Sequence, residues 1–456
     1  MFVDTMDRKI TLFLSLLAAA LLLPSGVRAQ SDTLKNKLSL GVNVLGHGEI
    51  CAGGLPRNSG TNTQEDYSGF LLGRIRLNAE YERKYLQLRF VVQNLWVWGM
   101  SGNQALKLYE GWAKIGSRVG LFAQLGRVAL SYDDERIIGT NDFAAAALSH
   151  DILRLGYEGH GHKFHVILAY NQNGDNVYSG NYYTGGAQYY KTMQTVWYHY
   201  DIPKFPLGLS LLFMNMGIQA GFDDYETNPS HKWMPAQTVY QQIYGGYLNF
   251  HPKHFSAEAS YYRQSGKLVD DSMGSKPIDA WMASAKLTYN PSERYGFVLG
   301  YDHLSGDDYV PNSYGGVGLP YHAVYKGFAP LYGSRTKFYG IMDFFYESAF
   351  VNGFTPGLQN AFFGVSGKPI EPLSLNATYH YLAVATKIQD LGMTLGHSLE
   401  VQADYQINKY ISLSAGYTFM AGTETMARLK REGSSPHAHW GWISLVVTPT
   451  LFSHKW

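Results

Sequence analysis

Residues 397 to 407 place His397, Leu399, Val401, Ala403, Tyr405 and Ile407 on one parity and Ser398, Glu400, Gln402, Asp404 and Gln406 on the other. Successive side chains of a β-strand point to opposite faces, so this segment has one apolar and one polar face. Ile411, Leu413, Ala415, Tyr417 and Phe419 alternate with Ser412, Ser414, Gly416 and Thr418 in the same way, as do Ile75, Leu77, Ala79 and Tyr81 with Arg74, Arg76, Asn78 and Glu80. Extended along the chain, the pattern predicts eighteen strands: 36–45, 67–81, 84–96, 104–115, 118–130, 150–158, 163–171, 191–201, 207–218, 238–250, 255–264, 279–290, 295–303, 358–367, 371–386, 395–407, 410–420 and 439–452.

The connections alternate too. Every second one holds two to five residues, among them Glu82-Arg83, Gly116-Ser117 and Asn408-Lys409, while the nine between hold seven to 54. Tight turns on one rim and long loops on the other are the pattern of an outer-membrane barrel. A soluble sandwich hides its apolar faces against each other and gives no reason for that segregation. The predicted fold is therefore all-β, a transmembrane antiparallel up-and-down β-barrel of about 18 strands with both termini on the short-turn side. Counting the apolar run Lys337 to Tyr346 as a strand breaks that even parity, so it is placed inside the longest loop, 304–357, as a segment folded toward the pore.

Composition sharpens this. Charged residues make up 16% of the chain, against about 25% in soluble proteins, so part of the surface faces something other than water. Arg8 and Lys9 precede an apolar run from Ile10 to Leu23, and Val27-Arg28-Ala29 offers a cleavage position. That is the layout of a secretory signal peptide, 1–29, with an apolar run too short to span a bilayer as a helix. Removing those 29 residues from 456 leaves 427, residues 30–456, as a single barrel domain; it also takes three of 37 basic and two of 36 acidic residues, leaving 34 of each. Formal neutrality excludes a basic field for nucleic acid. The single Cys51 excludes an intramolecular disulfide framework, and no apolar stretch long enough for a helical span follows residue 29. Trp96, Trp98, Tyr182, Tyr183, Tyr189, Tyr190, Trp197, Tyr261, Tyr262, Phe344 and Phe345 lie near strand ends or loops, where amphipathic rings suit the headgroup zones.

A barrel of this size leaves an aqueous channel unless loops plug it, and polar-face charges line that channel. Parity assigns Arg74, Arg76, Arg89, Arg154 and Lys286 to the lining, with Glu80, Glu258, Glu400 and Asp404. This mixed lining does not by itself select an anionic cargo.

Residues 126–155 carry a distinctive string: Gly126-Arg127, then Tyr132-Asp133-Asp134-Glu135-Arg136-Ile137-Ile138-Gly139, then His150-Asp151-Ile152-Leu153-Arg154-Leu155. It resembles the alginate-export family of outer-membrane porins. A second likeness lies at Phe328 to Phe345, where Pro330-Leu331-Tyr332-Gly333 precedes Tyr339-Gly340 and Met342-Asp343-Phe344-Phe345. The resemblance implies an eighteen-stranded barrel narrowed by inward loops, with arginines guiding uronate carboxylates. Arg127, Arg136 and Arg154 take the places of the motif arginines, and Asp134, Glu135 and Asp151 those of acids that hold them in fixed rotamers. A planar guanidinium meets a carboxylate with two hydrogen bonds. Phe143 stands where many members have Trp, and Leu148 or Ser149 where they have Arg, so one guiding cation is missing.

Catalytic and metal chemistry find less support. Ser149-His150-Asp151 are consecutive strand residues that alternate in direction and cannot form a relay. His160, His162 and His165, with His251 and His254, fall at predicted short turns without the further ligands of a tetrahedral site. Asp223-Asp224, Asp270-Asp271 and Asp307-Asp308 lie in long loops without ordered calcium-ligand spacing and read as exposed acidic pairs. The expectation is thus a passive, non-enzymatic channel without a cofactor, placed in the outer membrane of a diderm bacterium among lipid and lipopolysaccharide and passing a polar or anionic saccharide such as alginate or oligo-uronate. The alternative is a non-conducting receptor or adhesion barrel whose lumen the long loop fills.

Overall fold

A computed structural model describes residues 36–53, 67–100, 106–143, 145–172, 190–221, 236–270, 274–307, 324–342, 355–388, 391–430 and 437–456. The expected signal segment 1–29 lies outside them, as do Tyr182, Tyr183, Tyr189, Asp223, Asp224, Asp271, Asp308, Asp343, Phe344 and Phe345.

The alternating segments form β1 (Lys37–Gly53), β2 (Tyr67–Arg83), β3 (Leu86–Val97), β4 (Lys107–Gly116), β5 (Leu121–Val128), β6 (His150–Gly159), β7 (His162–Tyr170), β8 (Thr192–Asp201) and β9 (Leu207–Ala220). They continue with β10 (Gln237–Phe250), β11 (Phe255–Asp270), β12 (Gly274–Ser292), β13 (Tyr295–Leu304), β14 (Leu358–Ile370), β15 (Leu373–Ala383), β16 (Thr394–Asn408), β17 (Ile411–Gly422), β18 (His437–Val447) and β19 (Thr450–Lys455), with a short helix α1 (Glu424–Lys430) before β18. Each strand from β1 to β17 pairs antiparallel with the next, and β1 pairs with β2 on one side and with β18 and β19 on the other, so the sheet closes. β18 and β19 are one strand interrupted at Thr448-Pro449, where proline has no N–H to donate and the register against β1 slips between Leu40 and Gly41. The molecule is a closed antiparallel barrel of eighteen strands.

Tight connections of two to five residues occupy one rim, at 84–85, 117–120, 160–161, 202–206, 251–254, 293–294, 371–372 and 409–410. In the turn from β6 to β7, His160 and Gly161 both take positive φ, 54° and 82°, as a two-residue hairpin of the right twist requires. One connection on the opposite rim departs from expectation. The predicted 265–278 loop is a hairpin, with Asp270 paired to Gly274, so only 271–273 join the strands. β13 ends opposite Met282, so this hairpin rises past its neighbour, where its outer side chains need not be apolar and the alternation fades. Pro277 sits in that overhang and forfeits no ladder bond to β13.

The two faces differ as the pleat dictates. In β5, Leu121 and Leu125 are 52% and 64% exposed, while Phe122 and Gln124 between them are buried. Leu77, Phe90, Leu211, Leu299 and Ile443 continue an outward apolar band that would be unfavourable in water. The interior departs from a simple wet lining. Inward positions on β8 to β12 include Met193, Trp197, Met214, Ile243, Tyr262 and Met282, all buried with Leu130, Ile137, Ile138, Phe328 and Tyr332 from two loops. The hydrophobic core therefore lies inside the barrel, between the wall and inward-folded loops.

Candidate functional site

Loop 129–149 leaves β5 and turns into the bore. Its first half docks on the β6–β8 wall. The Tyr132 hydroxyl lies 2.9 Å from His165 Nδ1 and accepts from Arg154 at 3.1 Å, and Asp133 accepts from the Trp197 indole at 3.1 Å. Burial pushes the Asp133 carboxyl up despite those donors. Arg136 then crosses to β13, meeting Asp302 at 3.1 Å, its own neighbour Asp134 at 3.1 Å and the Tyr339 hydroxyl at 2.9 Å, with Phe338 stacked 4.0 Å away. Burial opposes the Arg136 charge, but Asp302 leads the surroundings that hold it firmly protonated.

The second inward segment, 324–342, zips onto the first. Ile138 and Tyr332 form a parallel bridge, Gly139 N donates to Tyr332 O at 2.8 Å, and Ser334 N donates to Glu135 O at 2.9 Å. Glu135 is the fastener, accepting from Ser131 Oγ, Ser334 Oγ and Lys337 Nζ, each at 2.6 Å. Burial works to raise its pKa, yet those three donors bring it below the usual carboxylate value. A Cβ on Gly139 would stand 2.9 Å from Ser334 N and 2.5 Å from its Oγ, so the loops approach closely only because residue 139 has no side chain. Asp133, Glu135, Asn141, Ala147 and Tyr339 all have positive φ, a cluster of strained backbone in these two segments. The wall anchors the second segment too, since Glu400 accepts from Ile341 N at 2.8 Å and Gln264 exchanges hydrogen bonds with both main-chain groups of Ala329.

The far end of loop 129–149 reaches the wall where the barrel closes. Asp142 pairs with Arg74 at 3.0 Å and Arg76 at 2.7 Å, and the Phe143 ring wedges edge-on against Trp442, 5.1 Å between centroids, and His47, 5.5 Å. One loop thus spans from β1, β2 and β18 to β8 and β13, braced midway by the second.

The structure sorts the sequence-predicted residues into three groups. Arg74 and Arg76 face inward but are buried anchors for Asp142, and Arg136, Asp134 and Glu135 form the brace. Arg89 and Arg154 face the bore, Arg89 between Glu80 and Glu110, and Arg154 against Gln124 and Tyr132. Arg127 and Asp151 make a two-pronged pair at 2.8 and 2.6 Å, but they share the outward parity of exposed Leu125, opposite to Gln124 and Arg154. Outward placement sets them apart from the pore lining, and the reason is periodicity: Arg127 is three residues from Gln124, an odd step on a strand. Sequence reading missed Asp302, Asp142, Lys114, Lys337 and His165. Asp302 and Lys114 were accessible to the same parity rule, whereas His165, placed in a turn from its neighbours, is an inward wall residue bonded to Tyr132 and, at 3.0 Å, to Glu158.

Inward charge is uneven around the bore, with Glu80, Glu110 and Glu158 set among the cations of one side and Lys286 among the acids of the other. Arg74, Arg76, Arg89, Lys114 and Arg154 project from β2 to β6, and Glu258, Asp302, Glu400 and Asp404 from β11 to β16, where Lys286 meets Glu258 at 2.9 Å. A cavity of about 200 Å³ remains under the brace on the acidic side, lined by Glu258, Lys286, Asp302, His380 and Glu400 among others. The excess of acids on the β11–β16 side over the more balanced β2–β6 side gives the bore a transverse field that acts on dipolar or charged solutes.

No family model matches the chain, and no curated protein sequence matches it. Solved structures do. The BenF-like porin of Pseudomonas fluorescens Pf-5 aligns with a TM-score of 0.58 at 8% identity, over 91% of this chain and 99% of that one. OccK5 (OpdH) of Pseudomonas aeruginosa aligns with a TM-score of 0.57 at 11% identity, over 91% and 98%. The fold is that of these porins. OccK2 (OpdF) of Pseudomonas aeruginosa, solved in complex with glucuronate, aligns with a TM-score of 0.56 at 9% identity, over 91% and 97%. Identities this low establish shared architecture, and the alginate-export resemblance gains no support from a family model.

Proposed function

We propose that the chain is an outer-membrane porin, exported with removal of residues 1–29, that passes small carboxylate-bearing saccharides of the uronate class, alginate-derived oligo-uronates among them, down their gradient without covalent chemistry. The observation that carries this reading is the group of bore-facing cations on one wall, Arg89, Lys114 and Arg154, set among Glu80, Glu110 and Glu158, facing a wall where acids outnumber cations, beside loops braced inward. A uronate pairs its carboxylate with those cations while its hydroxyls meet the acids, so it crosses oriented rather than bound. Cargo of this class accords with the glucuronate held by OccK2.

Planar-bilayer recording tests the reading. Purified protein should conduct, prefer anions in a potassium chloride gradient, and lose current on addition of glucuronate. The Arg89→Ala/Arg154→Ala double variant should shift the reversal potential toward zero. A barrel that does not conduct is the receptor or adhesion alternative; one that conducts with the same reversal potential in both proteins removes the arginines from the role.

A further inference from the structure

The outer wall carries a second polar site, away from the bore. A cavity of about 470 Å³ opens between β11 and the start of the β15–β16 loop, lined by Tyr261, Arg263, Asp279, Trp281, His303 and Lys326 with loop residues below. The five strand residues lie on the outward parity, since Arg263 pairs with Trp281 and Tyr261 is more than half exposed. The site sits where β13 ends and the β11–β12 hairpin rises past it, on the long-loop rim. Beneath it Tyr301, Leu299 and Phe297 run down β13 as an exposed apolar track.

The site is built. Tyr261, Trp281 and His303 form a stacked ladder across three strands, with centroids 6.2 Å and 4.6 Å apart and interplanar angles of 27° and 16°. Arg263 donates one terminal N–H to Asp279 at 2.8 Å, and both side chains are about half exposed on the outward parity. Lys326 is held beside it by main chain. Tyr325 bridges to Ile278, and Ser305 ties the segment down, accepting from Trp281 N at 2.8 Å and donating to Lys326 O at 2.7 Å. Thr386 closes the floor with a 3.0 Å bond to Gly306 O.

We infer that this groove binds a phosphorylated glycolipid of the outer leaflet, a lipopolysaccharide, with the phosphate on Arg263 and Lys326, a sugar face on the Trp281 and Tyr261 rings, and acyl chains along the β13 track. Two cations against one carboxylate give a net positive site for phosphate, and guanidinium suits its oxygens geometrically. Stacked amphipathic rings at the headgroup level fit a sugar face on one side and acyl chains on the other. Asp279 meets the sugar's hydroxyl or amide donors. The assignment rests on the membrane placement proposed above but not on conduction.

Native mass spectrometry of the detergent-solubilised protein tests it, with bisphosphorylated lipid A, dephosphorylated lipid A and soluble glucosamine phosphate as probes. Wild-type protein should retain one bisphosphorylated lipid, and Arg263→Ala/Lys326→Ala should bind it about thirtyfold more weakly, each surface cation contributing roughly one kcal/mol. Trp281→Ala should weaken binding as well, and dephosphorylated lipid should bind wild type no better than the phosphorylated lipid binds the double variant. Equal binding by wild type and double variant, or equal binding of the two lipids, overturns the site. Full displacement by soluble glucosamine phosphate overturns the lipid as its occupant. Because the residues face outward, unchanged conductance in the variants certifies their fold, and failure of the porin reading leaves the mass spectrum readable.

Discussion

Glu135 and Arg136 are adjacent in sequence; Glu135 braces to the neighbouring loop, and Arg136 to the wall at Asp302 as well as to Tyr339 of that loop. The folded pKa of Glu135 lies below that of a free carboxylate, so its contribution is full above the free value and is lost as pH falls through the lowered folded value. Asp133, raised by burial, acts with the opposite sign, since acid relieves a buried charge there. Single-channel current should therefore grow noisier only once pH falls below the ordinary carboxylate range, as the Glu135 fastener releases. Glu135→Gln should be noisy already at neutral pH and lose the acid response; a variant whose noise still grows in acid would remove Glu135 from that role, since Asp133 acts with the opposite sign. The fastener contributes about 2 kcal/mol locally, because Lys337 is half exposed and screened while the serine bonds to a charged acceptor are not. Arg136→Ala should cost more, about 3 to 5 kcal/mol, since it strands the buried Asp302; thermal unfolding of the loop–wall contact measured by hydrogen exchange would register it. Resemblance of motif picked out Arg136 and Glu135 as constrained residues. It did not disclose Asp302 or Lys337, which lie far along the chain and meet them only once the wall curves round.

At the scale of elements, the alternation located every strand, because lipid outside and water inside impose a two-residue period wherever both solvents are present. It blurred where one was missing. The hairpin of β11 and β12 continues above the apolar band, so Ser265 to Ile278 carries little outward hydrophobic signal and read as a loop. On β8 to β12 much of the inner face is apolar, with His199, Ser210, Gln241 and Gln264 interspersed, because it packs against loops 129–149 and 324–342, and there parity alone does not separate core from lipid face. The inward loops themselves have no period, and their closure depends on a contact between main chains. Gly139→Ala tests that contact: a Cβ placed 2.9 Å from Ser334 N must push the segments apart, with both neighbours already anchored. Overpacking of this kind costs about 1 to 3 kcal/mol. The variant should keep its barrel, judged by unchanged strand content in circular dichroism. It should gain amide exchange at residue 139, Asn141 and Ser334, whose N–H groups bond across the two loops; unaltered exchange would show that the loops have slack there.

For the whole molecule, one physical arrangement accounts for the cylinder: adjacent residues on a strand face different solvents, and the difference in free energy between those solvents is what the sequence encodes. Val401 and Gln402 sit at the middle of β16, Val401 on the exposed outer band and Gln402 inward, where it donates to Asp404 at 2.9 Å. An arginine at a lipid-facing position near the midplane costs about 2 to 4 kcal/mol, whereas a lumen position charges only the local field. At residue 402 that field is favourable, because Asp404 and Glu400 flank it on the same face. Val401→Arg should therefore refold poorly into lipid vesicles, and Gln402→Arg should refold as well as the parent, with the folded fraction read from the mobility of unheated samples on a denaturing gel. The second variant should also weaken the acidic wall and strengthen anion preference in the bilayer. Equal yields for the two substitutions would mean that the outer band does not face lipid, which would remove the membrane from the argument while leaving the closed sheet intact.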